Sequence, residues 1–312
     1  MGWFSQSKVV QGWLAVQVWT DRVSVVDVYP VANGKPRITF CQTRGTEGAA
    51  DILKRLAREV RARGRKTVGL LNTGEYQLLL VEAPNVPEEE IRAAVRWSIK
   101  DQLDYPVDTA TLDVLPVPAD SFAPTRSVHL YVAVVRNNLL AERQRLIEEA
   151  GFPLSVIDIP ELAQRNLATL IEEPERGLAL LSLDSSGGLL TLTCDGKLYL
   201  ARRTEVNLLQ VFLHSPEQQQ VGFERLALDV QRAIDYFDRQ FRSIALSRLV
   251  LAVIPPECGL EDYLANNLSL PVSSASLKVF FDFDEMPELS SVEQQAECLL
   301  TLGAALRLPS KP

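Results

Sequence analysis

Two histidines and four cysteines are the first residues to test for chemistry, because imidazole and thiolate groups act as metal ligands, bases and nucleophiles near neutral pH. Cys41, Cys194, Cys258 and Cys298 lie far apart, form no CxxC pair, and each falls in or beside an apolar segment. That pattern suits buried thiols in a reducing compartment, not a disulfide frame or a metal site. His129 and His214 are the whole imidazole supply, and His214 sits in a polar stretch. Neither a zinc centre nor a His-based triad is easily assembled from them. Asp101, Asp104 and Asp108 could serve an acid–base enzyme, yet they follow an amphipathic helix into a turn and read as solvated surface. No nucleophile stands at a recognisable spacing from a base. The run Asp184-Ser185-Ser186-Gly187-Gly188 remains, an acid followed by small residues, and by itself it reads as a surface turn between two strands.

The elements that must position these residues belong to an ordinary globular chain. With 312 residues, 46% hydrophobic and 23% charged, roughly three quarters of the unfolded surface can be buried, and two core-bearing lobes are expected. A net charge of −8 argues against a general nucleic-acid binder, which needs clustered cations for phosphate. The densest basic stretch, Leu53 to Lys66, lies on a helix with an apolar stripe of Ile52, Leu53, Leu56, Ala57 and Val60. It reads as a solvated face, the alternative being contact with an acidic partner or an anionic membrane surface. No apolar run of about 18 residues and no charged-then-apolar leader pattern is present, so the expected location is the cytoplasm. Trp3 and Phe4 could touch a membrane or a partner, or simply belong to a frayed terminus.

Hydrophobic alternation predicts a strand at Val23 to Val28, a tight Asn33-Gly34 turn, and a return strand at Arg37 to Cys41. The plan recurs about 160 residues later, with Leu189 to Cys194, Asp195-Gly196, and Lys197 to Arg202. Helices and further strands follow both hairpins, which points to two similar α/β halves. In the first half a basic helix over 48–63 leads to strands at Thr67 to Leu71 and Gln77 to Glu82. A helix then starts at Pro87, with Glu88, Glu89 and Glu90 favoured by the helix dipole, and runs to the Tyr105-Pro106 stop. Strands at 113–117 and 128–135, a helix at 139–149, a short strand at 155–158 and a helix at 160–171 complete this half. The second half reads as a strand at Leu178 to Leu183, the second hairpin, a long helix over 222–241, a strand at 249–254, a helix at 260–267 and a closing helix over 292–306. The tail LPSKP is expected to fray.

At this point VPEEEIRAAVRWSIKDQLDYPVDTATLD (Val86 to Asp113) resembles a diagnostic segment of the PilM family of type IV pilus proteins, relatives of FtsA in the actin-like superfamily. Further likeness runs through Gly177 to Arg203, Leu226 to Phe241, Gly259 to Val272 and Leu302 to Leu308, with the nearest similarity to MSHA-pilus biogenesis members. The resemblance implies an α/β, two-lobed actin-like fold of the duplicated ribonuclease H-like type, with an FtsA/PilM-type inserted subdomain. On that basis residues 1–172 form the first lobe, with the insertion at about 84–150. Residues 173–312 form the second, its closing helix 292–306 returning toward the first lobe.

Actin-like ATPases hold phosphates between two β-hairpins, where small residues let backbone N–H groups reach phosphate and acids position Mg²⁺. Where the family's first strand reads roughly Asp-Ile-Gly-Ser-Ser, this chain has Gln17-Val18-Trp19-Thr20-Asp21, so Gln17 replaces the acid and Trp19 the glycine. In the second loop Asp184 keeps the acid, while Ser186 stands for a glycine and Leu190 for a threonine. The glycine-rich adenine turn has become Ala252-Val253-Ile254-Pro255-Pro256, and the stretch between Arg203 and Phe223 is shorter than the family pattern. The family reading is therefore a scaffold with a degenerate nucleotide site, in which Asp184, Ser185, Ser186, Gly187 and Gly188 are the only candidates to touch residual ATP or Mg²⁺. Its expected partner is the cytoplasmic tail of a single-pass, PilN-like inner-membrane pilus protein. That tail would dock between the first lobe and the inserted subdomain, beside Leu78 to Pro84 and Val128 to Val135. Peripheral association with the inner membrane would follow through that partner, and a homo-oligomer remains open. The alternative is a slow Mg-ATP-dependent switch using Asp184.

Overall fold

The structure is a computed structural model that describes residues 12–32, 34–120, 128–212 and 216–307. Trp3, Phe4, Asn33, His214 and the tail 308–312 lie outside the described residues.

Two five-stranded sheets carry the architecture, and both have one strand order. The first lobe opens with β1 (Trp13–Val18), β2 (Arg22–Tyr29) and β3 (Arg37–Gly45), an antiparallel meander. Helix α1 (Ala49–Glu59) then leads to β4 (Thr67–Leu70), which pairs in parallel with β1. Helix α1 stops short of the expected 63 because Arg61 and Gly64 take left-handed φ of 53° and 81° and turn the chain.

The chain next leaves the lobe to build a separate antiparallel sheet from β5 (Tyr76–Glu82), β6 (Ala110–Pro116) and β7 (His129–Arg136), in the order β5-β7-β6. Helix α2 (Ile91–Ser98) covers one face of it through Val95, between short 3₁₀ turns at Glu88–Glu90 and Lys100–Gln102 that break up the single long helix expected here. Helix α3 (Asn137–Glu149) and β8 (Leu154–Asp158) return to the first lobe, where Ile147 packs with Val16 and Leu56. The inserted unit thus spans 76–136, against the expected 84–150. The difference arises because β5 pairs with β7 and not with the main sheet, while α3 closes the first lobe's core.

Helix α4 (Pro160–Ala168) crosses to β9 (Gly177–Asp184), β10 (Gly187–Cys194) and β11 (Lys197–Thr204). After the short α5 (Leu208–Val211), the long α6 (Pro216–Gln240) precedes β12 (Leu246–Ala252). Then come α7 (Leu260–Asn267), β13 (Val272–Ala275), the short α8 (Leu277–Phe280) and α9 (Val292–Ala305). The second sheet runs β11-β10-β9-β12-β13, repeating the first sheet's β3-β2-β1-β4-β8 strand for strand. Asp195 and Gly196, with φ of 48° and 71°, make the β10–β11 turn that marks the repeat. Strands β1 and β13 went unread in the sequence because each is short and uniformly or half buried, without alternation.

One core joins the lobes. Phe237, Leu180 and Leu192 of the second lobe pack in the same cluster as Ala15, Val68, Leu167 and Leu302. Helix α9 lies against β1, β2 and β4 of the first lobe as well as α4 and β9. A strap after α8 covers the outer edge of β3, with Asp282 N donating to Pro36 O at 2.9 Å and Ile38 N to Asp282 O at 2.9 Å.

The thiols follow the burial expected of them. Cys41, Cys194 and Cys298 are buried and Cys258 is half-buried, all four free. Burial pushes the Cys194 thiol up to about 11. Cys298 is raised well above the ordinary range by its hydrogen bond with Cys41 and by burial. Ellman's reagent at about pH 8 should therefore modify no more than one thiol, Cys258, in the native chain and all four after denaturation. Rapid reaction of a second thiol would mean that β3, β10 or α9 opens locally.

Candidate functional site

The two hairpins that would hold phosphate face each other across the lobes. The β1–β2 turn brings Trp19, Thr20 and Asp21 to one side, and the β9–β10 turn brings Ser185 and Ser186 to the other. Gln17 is buried, and both ends of its amide have a partner. Its Nε2 donates to Asn72 Oδ1 at 3.0 Å, and Thr301 Oγ1 of α9 donates to its Oε1 at 2.6 Å. Asn72 in turn donates to Val18 O at 2.5 Å. A neutral side chain fitted into this set leaves no carboxylate aimed at a cation.

Arg22, the first residue of β2, bridges the mouth. Its guanidinium stacks 4.5 Å from the Trp19 ring, pairs with Asp21 at 3.2 Å, donates to Ser185 Oγ at 3.2 Å, and forms an ion pair with Glu297 of α9. Glu297 Oε1 also accepts Ser185 N at 3.1 Å. Ser186 N and Oγ donate to Asp184 Oδ1 at 2.7 and 2.6 Å, an Asx turn that closes the acid onto its own loop. The backbone N–H groups of Ser185 and Ser186 are therefore both engaged by carboxylates. Asp21 and Glu297 both pair with the one arginine, while Asp184 adds a third carboxylate to the same loop.

The loop's glycines answer to packing. A Cβ on Gly188 would lie 2.5 Å from Thr204 Cγ2 and 2.6 Å from Leu183 Cδ2, and one on Gly187 would lie 2.8 Å from Thr204 O. Close approach of β11 explains both positions. In the turn after β12, Val253 holds a left-handed φ of 58°, costly for a β-branched residue, with its side chain and that of Ile254 buried in the core. Among the described residues no group of three or more His, Cys, Asp and Glu side chains is placed to hold a metal ion. Asp101, Asp104 and Asp108 lie on the exposed surface, Asp104 pairing with Arg136 at 3.0 Å.

Open space lies instead along the inserted sheet. A cavity of about 200 Å³ sits beside that sheet, walled by Leu78, Leu115, Tyr131 and Ala133 on one side and by Ile159, Leu162 and Arg165, with Leu198 of β11 and Arg307, on the other. Two further cavities, of about 450 and 240 Å³, continue along Leu80, Tyr131 and Val128 against β11 and the end of α6 in the second lobe. The expected bordering segments thus line all three, although most of that space faces the second lobe. Glu161 holds the junction: it accepts Arg203 Nη2 at 2.8 Å and the Tyr76 hydroxyl, while Arg203 Nη1 donates to Thr73 at 2.7 Å. Arg22, Glu297, Glu161 and Arg203 went unread as site residues, since their partners lie up to 275 positions away and leave no local signature.

No known family model and no curated protein matches this chain. Among solved structures it is similar to a PilM-PilN type IV pilus biogenesis complex, at 20% identity and a TM-score of 0.70 over 96% of this chain and 98% of that one. It is also similar to the cytoplasmic domain of EpsL, an inner membrane component of the type II secretion system of Vibrio cholerae, at 17% identity and a TM-score of 0.51 over 96% of each chain. The chain has the two-lobed actin-like α/β fold, with a three-stranded sheet inserted in its first lobe.

Proposed function

We propose that this protein is a nucleotide-independent scaffold of a type IV pilus assembly complex, of the MSHA-like kind. It binds the N-terminal cytoplasmic tail of a single-pass, PilN-like inner-membrane protein and is held at the membrane periphery through that partner. The observation that carries the reading is the pairing of a closed site with an open one. Arg22, Glu297 and Ser185 tie the hairpin side of the cleft together, while the groove between α4 and the inserted sheet stays open, its apolar walls edged by Asp113, Arg165 and Arg307. Similarity over nearly the full length to a chain of a PilM-PilN complex supports the same choice. An extended tail would seat apolar side chains in the cavities beside β5, an edge strand whose Leu80 is exposed.

Isothermal titration tests both halves. Tails of inner-membrane pilus proteins should bind with micromolar or better affinity, and Ala133→Trp, which fills the groove, should weaken binding at least tenfold. Mg-ATP should show no saturable micromolar binding. If it binds and Asp184→Ala abolishes that binding, a slow ATPase switch replaces this reading. Failure of every tail removes the partner assignment and leaves the fold untouched.

A further inference from the structure

The basic helix α1 is the part of the molecule that neither the cleft nor the groove uses. Residues 51–66 present six exposed cations, Lys54, Arg55, Arg58, Arg61, Arg63 and Lys66, against two acids, Asp51 and Glu59, a local net of +4 on a chain of −8. At about 100° per residue, Lys54, Arg55 and Arg58 fall in one arc of about 100° opposite the buried Leu53, Leu56 and Ala57. The left-handed turn at Arg61 and Gly64 then sends Arg65 inward to Asp27 and leaves Arg61, Arg63 and Lys66 outside. Within this set Lys54 pairs with Asp51 at 3.7 Å and Arg55 with Glu59 at 3.5 Å, both exposed one-turn pairs. Arg58, Arg61 and Arg63 have no acidic partner among the described residues.

We infer that this face docks directly on an anionic lipid surface. Among the described residues none of the largest cavities is lined by α1, so its cations offer no groove to an inserted peptide and suit a charged plane better. The contact is independent of the tail-binding groove and adds to it, since two weak membrane contacts together hold far better than one.

Vesicle co-sedimentation of the full chain, with no partner tail present, tests the inference. Vesicles of about one-third phosphatidylglycerol in phosphatidylcholine should retain the protein, pure phosphatidylcholine should not, and salt that shortens the Debye length below about 8 Å should release it. Each cation near such a surface contributes about fivefold, so Arg58→Gln, Arg61→Gln and Arg63→Gln together should cut partitioning about a hundredfold. These side chains lie outside the core, and an unchanged melting temperature would show that the variant is folded. Absence of binding to the anionic vesicles would overturn the inference, as would equal binding of the triple variant. Binding of a poly-glutamate peptide while vesicles are ignored would assign the face to an acidic protein instead.

Discussion

Asp27→Ala is expected to destabilise the protein by about 3–5 kcal/mol, the cost of leaving one member of a buried ion pair without its partner. Asp27 and Arg65 are only 5% and 7% exposed and meet in a two-pronged contact, with Arg65 Nη1 donating to Asp27 Oδ2 at 2.7 Å. Thr39 Oγ1 donates to the same carboxylate at 2.9 Å, and the Arg65 guanidinium lies 4.9 Å from the Tyr29 ring. Removing the acid strands a guanidinium beneath the first sheet, where water cannot reach it. Urea unfolding should show the full loss in the single variant, whereas Asp27→Leu combined with Arg65→Met should recover most of it, because an apolar pair needs no desolvation. A loss under about 1 kcal/mol in the single variant would mean that water enters this site.

Alkaline pH should loosen the inserted sheet from the second lobe. Tyr131 of β7 is buried against β11, accepting Ala201 N at 3.0 Å, and burial pushes its hydroxyl up to about 12. Tyr76 is raised well above the usual phenol range by burial, and next by the negative charge of Glu161. A phenol that ionises near 10 when unfolded, but higher when folded, keeps its proton longer in the native state. Its stabilising contribution is whole below about pH 10 and is lost as pH rises through the folded value. For Tyr131 a shift of two units corresponds to about 3 kcal/mol lost between about pH 10 and 12. Unfolding free energies measured across that interval should fall more steeply in the wild type than in Tyr131→Phe. Equal slopes would show that Tyr131 is solvated, and the cavity beside it open, in solution.

Local chemistry wrote most of the elements. Alternating Val residues in β2, the Asp195-Gly196 turn, the acidic start before α2 and the apolar stripe of α6 each specify their own backbone through neighbours a few positions away. Repetition of the hairpin plan went further and pointed to two like halves, which the matching strand orders of the two sheets display. That Gln17 is neutral and that the turn after β12 holds no glycine at Val253 was also legible, since it needs only residue identity.

Tertiary structure alone decided what these side chains do. Gln17 gains its role from Thr301, and Arg22 from Glu297, pairs separated by most of the chain and brought together only when α9 folds back onto the first lobe, while Ser185 reaches Arg22 from the β9–β10 turn of the other lobe. The same holds for the boundaries of the insertion, which depend on β5 choosing β7 over the main sheet, and for Gly188, whose missing side chain makes room for Thr204 of the neighbouring strand. Periodicity encodes a face and a turn because backbone geometry repeats over a few residues. It carries no information on which distant side chain will meet that face, because the partner is set by how whole sheets and helices stack.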